Sequence, residues 1–315
     1  MIRGDLDNLS LQSLNLSEAE GIVNIAGGTL KASNFSLGDG RWEGTLSLVG
    51  IELGQLIPEQ SELLGDVHGT FHVDGDLDNL TIEGIALRGE TSITVAGGTV
   101  QGEEVKLDRG QFAAIINAQG VPLQSFLPQS QGYLGGRVNI SGNLANLSPQ
   151  GIQLGGEVQL KESLLEDTLT ATLAWNGQKL HINSAKAGET LQVRGFAIPD
   201  WTSGGQIKGV KQFDFDISAK GVSLEALPLS LPPVVGEYLR LDSSPVIAGK
   251  AGFEGKIAGT PTAPQINGEI ELENLSLAGM VLDPMLSGSV YFNPGEEGNL
   301  LLAGTAEKKK PTKFS

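Results

Sequence analysis

The sequence predicts an all-β protein made of repeating, multi-stranded, mostly antiparallel sheet units joined by short crossover segments. Three observations predict it. Apolar and polar residues alternate one by one over much of the chain, glycine is abundant (44 of 315 residues) and falls beside those runs, and whole phrases recur at a spacing near 70 residues. Period-two alternation gives a strand one apolar and one wet face. That favours antiparallel pairing, because strands of parallel sheets tend to be apolar on both faces. Charged residues make up only 18% and aromatics 5%, a poor composition for helical bundles, and no long run shows helical periodicity.

The repeat organises the chain. Gly4-Asp5-Leu6-Asp7-Asn8-Leu9 recurs letter for letter as Gly75-Asp76-Leu77-Asp78-Asn79-Leu80, 71 residues later. Ala26-Gly27-Gly28-Thr29 recurs as Ala96-Gly97-Gly98-Thr99, 70 residues later. The register then holds from Leu37 and Leu107 through Trp42 and Phe112 to Gly50 and Gly120, and on to Pro58 and Pro128. Gly142-Asn143-Leu144-Ala145-Asn146-Leu147 is a looser third copy. Gly50-Ile51-x-Leu53 returns as Gly120-Val121-x-Leu123 and as Gly221-Val222-x-Leu224. Four units follow: 1–60, 61–130, 131–235 and 236–306, the first truncated at its N-terminal side and the fourth carrying only part of the pattern. The stretch 307–315, with Lys308, Lys309, Lys310 and Lys313, reads as a basic disordered tail. A period near 70 exceeds that of ordinary solenoids, so each unit holds several strands, about five with one crossover.

The elements of one unit can be read in order. Val67, Phe71 and Val73 share one face and His68, His72 and Asp74 the other. Ile93 and Val95 follow, then Val105 and Leu107, then Phe112, Ala114, Ile116 and Ala118. Gly75, Gly89, Gly97-Gly98, Gly110 and Gly120 punctuate these runs. The Pro-bounded stretch from Val121 to Pro128 breaks the alternation and reads as a turn or helical crossover. In the third unit Leu169, Ala171, Leu173 and Trp175 lead into Asn176-Gly177, then Leu180 and Ile182, which predicts a hairpin at 169–182. The strand from Val67 to Val73 has no counterpart before Gly4, so the sequence reads as an internal piece of a longer protein.

Several chemistries are excluded. The net charge of −16 repels nucleic-acid phosphates, and no Lys/Arg stripe offsets it. The absence of cysteine rules out disulfides and thiol nucleophiles. No stretch approaches the ~20 apolar residues of a membrane-spanning helix. Asp74-Gly75-Asp76-Leu77-Asp78-Asn79 starts like a calcium loop, but Asn79 replaces the required glycine and Ile85 the closing glutamate, so a turn is the better reading. His68 and His72 are four apart on a strand, roughly 13 Å, too far to share a metal. His181 stands alone, and exposed strand positions are expected for all three. No nucleophile elbow, P-loop or dinucleotide fingerprint is present, so neither an enzyme nor a cofactor is expected.

Two phrases carry a resemblance. They are the Gly-Asp-Leu-Asp-Asn-Leu copies and Gly259-Thr260-Pro261-Thr262-Ala263-Pro264-Gln265-Ile266-Asn267-Gly268, continued by Glu269-Ile270-Glu271-Leu272. They resemble the TamB family of AsmA-like repeating β-groove proteins. The stretch from Ala278 to Gly288, followed by Asn293-Pro294-Gly295, is similar to cyanobacterial and plastid members. The resemblance implies an elongated U-shaped β-groove with an apolar lining. It implies a place in the periplasm or intermembrane envelope space, with anchorage to the inner membrane in the full-length protein. It also implies an Omp85-type outer-membrane barrel as partner, met through parts absent from this sequence. The implied roles are lipid transport between membranes and outer-membrane protein assembly and translocation.

An apolar groove would shield phospholipid or glycolipid acyl chains. Its expected lining is Val67, Phe71, Val73, Ile93, Val95, Phe112, Ile116, Val138, Ile140, Leu169, Leu173, Trp175, Phe213, Phe215 and Ile217. The same alternation also describes the buried face of a closed sandwich, as in a cell-surface β-repeat adhesin.

Overall fold

The structure is a computed structural model. It describes residues 2–3, 15–56, 65–125, 131–162, 167–202, 207–226, 247–277, 280–281, 284–296 and 298–304. The first copy of the six-residue phrase at 4–9, Pro58, Pro128 and the basic stretch 307–315 lie outside the described residues. The fold is all-β, and every described strand pair is antiparallel. The chain divides into two compact units, residues 1–163 with 172–178 and residues 164–171 with 179–315.

The first unit is a meander. Its strands are β1 (Ile2–Arg3), β2 (Asn15–Ile25), β3 (Gly28–Gly38), β4 (Arg41–Glu52), β5 (Asp66–Asp76), β6 (Ile85–Val95), β7 (Gly98–Asp108), β8 (Gln111–Pro122), β9 (Tyr133–Asn143) and β10 (Ile152–Lys161). Each pairs with the next in chain order. Among the described residues no pairing joins β10 back to β1 or β2, so this sheet is open.

Local backbone chemistry sets the meander. The β2–β3 and β6–β7 turns are Ala26-Gly27 and Ala96-Gly97; the β3–β4 and β7–β8 turns are Asp39-Gly40 and Arg109-Gly110. All eight residues have positive φ, between 46° and 90°. Two-residue loops of this kind match the right-handed twist of the strands they join.

Bulges recur in register with the sequence repeat. Gly50 (φ 65°) and Gly120 (φ 62°) sit where the ladders slip between Leu48 and Ile51 and between Ala118 and Val121. Asn34 and Glu104, also at positive φ, do the same in β3 and β7. Each bulge shifts the sequence alternation by one and thereby keeps apolar side chains on one face. Past Gly50 the chain makes a single turn, α1 (Leu53–Leu56), and past Gly120 a 3-10 turn, Leu123–Ser125. The Leu53 and Leu123 amides donate to the carbonyls of Gly65 and Gly132 (3.0 and 2.9 Å), tying each crossover to the residue that opens the next strand.

The copies are thus four strands long, β2–β5 and β6–β9, fewer than the glycine punctuation suggests. Gly75 and Gly89 lie inside β5 and β6 and do not separate strands.

The Gly-Asp-Leu-Asp-Asn-Leu phrase is a pair of side-chain-capped turns. Asp76 Oδ1 accepts the Asp78 amide (2.9 Å), and Asn79 Oδ1 accepts the Thr81 amide (3.4 Å) and hydroxyl. In the next copy Asn143 Oδ1 accepts the Ala145 amide (2.7 Å), and Asn146 Oδ1 accepts the Ser148 amide (3.3 Å) and hydroxyl. Both turns are pinned to the preceding hairpin, Leu77 N–H to Gly40 O and Leu144 N–H to Gly110 O, each 2.8 Å. These side-chain oxygens serve backbone donors, as the turn reading requires.

In the second unit β12 (Leu180–Ala187), β13 (Leu191–Trp201), β14 (Ile207–Ser223), β15 (Ile247–Thr260) and β16 (Ala263–Leu277) pair in chain order. β16 then pairs with both β17 (Met280–Val281) and β18 (Met285–Phe292), and β18 with β19 (Asn299–Gly304). Gly221 (φ 61°) repeats the bulge, and the 3-10 turn Leu224–Ala226 follows it. β11 (Leu169–Trp175) begins in the second unit and ends in the first, and Asn176-Gly177 stands in its connection to β12.

Candidate apolar binding face

The ladder registers bring the expected lining residues of β5, β6, β8 and β9 onto one face of the first unit, and those of β14 onto one face of the second. In the first unit one cross-strand row runs Ile51, Val67, Ile93, Val100, Ala118. A second runs Leu48, Gly69, Thr91, Gly102, Ile116, Val138. Further along the strands Leu46 meets Phe71, and Phe71 meets Gly89. Val73, Leu87, Leu107 and Phe112 form the next row, and Ala114, Ile140 and Leu154 lie beside one another. Val67, Phe71, Val73, Ile93, Val95, Phe112, Ile116, Val138 and Ile140 therefore share one side of the first unit.

In the second unit Val193 meets Ile217, Gly195 meets Phe215 and Ala197 meets Phe213, so Phe213, Phe215 and Ile217 share a face. On β11, Leu169, Leu173 and Trp175 alternate with Thr170, Thr172 and Ala174. The Trp175 indole donates to the Pro149 carbonyl (2.8 Å).

Burial is uneven across this face. Val67, Phe71, Val73 and Val95 are buried, whereas Ile93, Phe112, Ile116, Val138 and Ile140 are only half-buried. Among the described residues no large side chain is fully buried. A closed sandwich would bury its inner rows completely, because two sheets about 10 Å apart exclude water between them.

Aromatic rings lie across glycines of the neighbouring strand. Trp42 is paired with Gly75, Phe71 with Gly89 and Phe112 with Gly142. A Cβ added to those glycines would come within 2.5, 2.8 and 2.8 Å of the respective ring atoms. Rings laid flat over glycine keep the relief of the face low, and they explain glycine within strands that otherwise disfavour it. The Trp42 indole N–H is buried and has no hydrogen-bond partner among the described residues.

The opposite face is polar. Arg137 pairs with Glu103 (2.9 Å) and donates to Asn117 (3.2 Å), while Asn117 donates to Glu103 (2.6 Å). Lys256 pairs with Asp214 (2.9 Å), and that carboxylate holds the ammonium above its ordinary range. His68, exposed, pairs with Asp66. His72 and His181 are half-buried, the latter packed on Phe196, where exposed positions were expected. Depressions on this face are lined by polar side chains, one by Ser47, His68, Thr70, Glu90 and Gln101, another by Asn117, Arg137, Glu157 and Gln159.

The expected lining leaves out Trp42, Leu46, Leu48, Leu87, Leu107, Ile152 and Leu154, which belong to the same apolar face, although the alternation already puts Leu107 on an apolar run. Their signal is the alternation itself, shifted by one at each bulge. No family model, curated protein or solved structure matches this chain.

Proposed function

We propose that this apolar face binds the acyl chains of phospholipid or glycolipid, and that the chain is a groove segment of a TamB-like envelope protein. Its work would then be lipid transport between membranes or outer-membrane protein assembly and translocation, beside an Omp85-type barrel partner. The supporting observation is the row structure: apolar side chains in register from β4 to β10, some buried and others only half-buried, with low relief. Five neighbouring strands cover roughly 19 Å at ~4.8 Å spacing, close to the extended length of a common acyl tail. Each methylene removed from water contributes about 0.8 kcal/mol, so grip comes from area and not from directed contacts. A tail held that way can slide along the face.

Native mass spectrometry of the purified chain, with lipid extraction from the same sample, tests the proposal. Retained phospholipid or glycolipid is expected, lost on Phe112→Asp or Phe215→Asp and kept on the wet-face change Thr70→Asp, with far-ultraviolet circular dichroism unchanged. A chain that holds no lipid and takes up none from added vesicles, or that loses it equally with Thr70→Asp, overturns it.

A further inference from the structure

Two copies of the repeat fold alike but carry different wet faces. Across β4, β5, β6 and β7 that face bears charge in rows that cross the strands. Glu43 faces Asp74, Asp74 faces Ala86, and Ala86 faces Asp108. Two residues along the strands, His72 faces Arg88 and Arg88 faces Lys106. Like charges directly opposite one another destabilise a sheet. The next copy avoids both rows. Ala113, Ser141 and Gln153 stand where Glu43, Asp74 and Ala86 do, and Asn139 and Gly155 where His72 and Arg88 do. The two copies make the same turn bonds, so the fold does not require these charges.

Nor do the two rows neutralise each other. Among the described residues His72, Asp74, Arg88 and Asp108 form no ion pair, and Lys106 pairs with Glu104 of its own strand (3.6 Å). Glu43 accepts the Ser36 hydroxyl (3.4 Å). Ala86 leaves a gap in the acidic row. Asp74 and Asp108 flank it, each one strand spacing or about 4.8 Å to the side, and Arg88 lies two residues or roughly 6.8 Å further along β6. A hollow of about 860 Å³ opens over this gap, with Glu43, His72, Asp74, Ala86, Arg88 and Asp108 in its lining. Its turn-end rim carries both signs, with Arg41 opposite Asp76.

We infer that this hollow binds an ω-amino carboxylate, a small zwitterion whose ammonium and carboxylate are about 7 Å apart. The ammonium sits over Ala86 between the Asp74 and Asp108 carboxylates. The carboxylate meets the Arg88 guanidinium, whose planar fork suits it, with His72 and Lys106 to either side. The methylene stem lies along β6. An anion alone would face the acidic row uncompensated, and a cation alone the basic row, so the paired rows select a ligand that has both charges. Lysine offers this chemistry, free or as the last residue of a chain. The hollow lies on the face opposite the apolar rows, and its ligand does not depend on lipid binding.

Titration of ε-aminocaproate into the whole chain, followed by calorimetry, tests it. One molecule per chain is expected, bound about tenfold or more tightly than caproate, hexylamine or β-alanine, which lack the ammonium, the carboxylate or the length. Ala86→Gln installs the residue that the next copy carries at this place, so the strand should fold as before while binding is lost. Arg88→Gln and Asp74→Asn should each weaken binding about tenfold, with far-ultraviolet circular dichroism unchanged. Free lysine and a peptide ending in lysine separate the two sources, the tighter binder naming the one that applies. No binding at millimolar ε-aminocaproate, equal binding of caproate, hexylamine or β-alanine, or binding untouched by Ala86→Gln would overturn the inference.

Discussion

In the first unit the strands are held differently at their two ends. Where β4, β6 and β8 finish and β5 begins, Ile51, Leu53, Val67, Val95 and Val121 pack together beneath the crossover turns, with Ala26, Leu48, Val100 and Leu134 around them. At the opposite end the chain closes through the capped turns after β5 and β9, where Leu80 and Leu147 remain 62% and 59% exposed. The first end draws its stability from residues far apart in sequence. The second draws it from side-chain oxygens that cap amides two residues away. A repeat built this way can add copies while each keeps one apolar anchor and one self-contained turn.

The largest effect should come from the apolar end. Ile51 is 4% exposed and belongs to the cluster. Ile51→Ala removes buried methyl groups and leaves space that a sheet edge can only partly close, a loss of about 2–4 kcal/mol. Urea unfolding followed by circular dichroism reads it, and a loss under about 1 kcal/mol would remove this cluster from its place as the core.

Much of this comparison was legible in the sequence, and the limits of legibility are physical. The alternation of Val67, Phe71 and Val73 and the 70-residue register gave the all-β class and the shared face, because strand period and repeat are both local properties. The bulges hid the rest. Between Gly102 and Val105, and between Leu48 and Ile51, one extra residue breaks the alternation while the fold keeps its face. Leu46 and Leu48 therefore stand outside the expected lining. Glycine misled in a second way. Gly89 looked like a boundary, but it is the floor under Phe71, a relation that needs the neighbouring strand to be seen.

An intermediate effect belongs to the turns. Asn79→Ala and Asn146→Ala each remove an oxygen that accepts an amide and a hydroxyl. The freed amides stand in exposed turns and can turn to water, so each change should cost about 1 kcal/mol. The two costs should agree, because the two turns make the same bonds in two copies. Chemical denaturation of the two variants checks this. A cost for one and none for the other would show that the copies are alike in geometry only.

The smallest effect is the sharpest test of the contrast between the ends. Leu147 is as apolar as Ile51 and, like Leu80, sits at the end of the six-residue phrase, so the sequence alone gives both the look of core positions. Exposure separates them. A leucine that keeps more than half its surface in water gains little from folding, and Leu147→Ser should change stability by no more than about 0.5 kcal/mol. Thermal and urea unfolding of the variant beside the wild-type chain measure it. A loss approaching that of Ile51→Ala would mean that Leu147 is buried in the folded protein, and the turn end would then be a second apolar anchor.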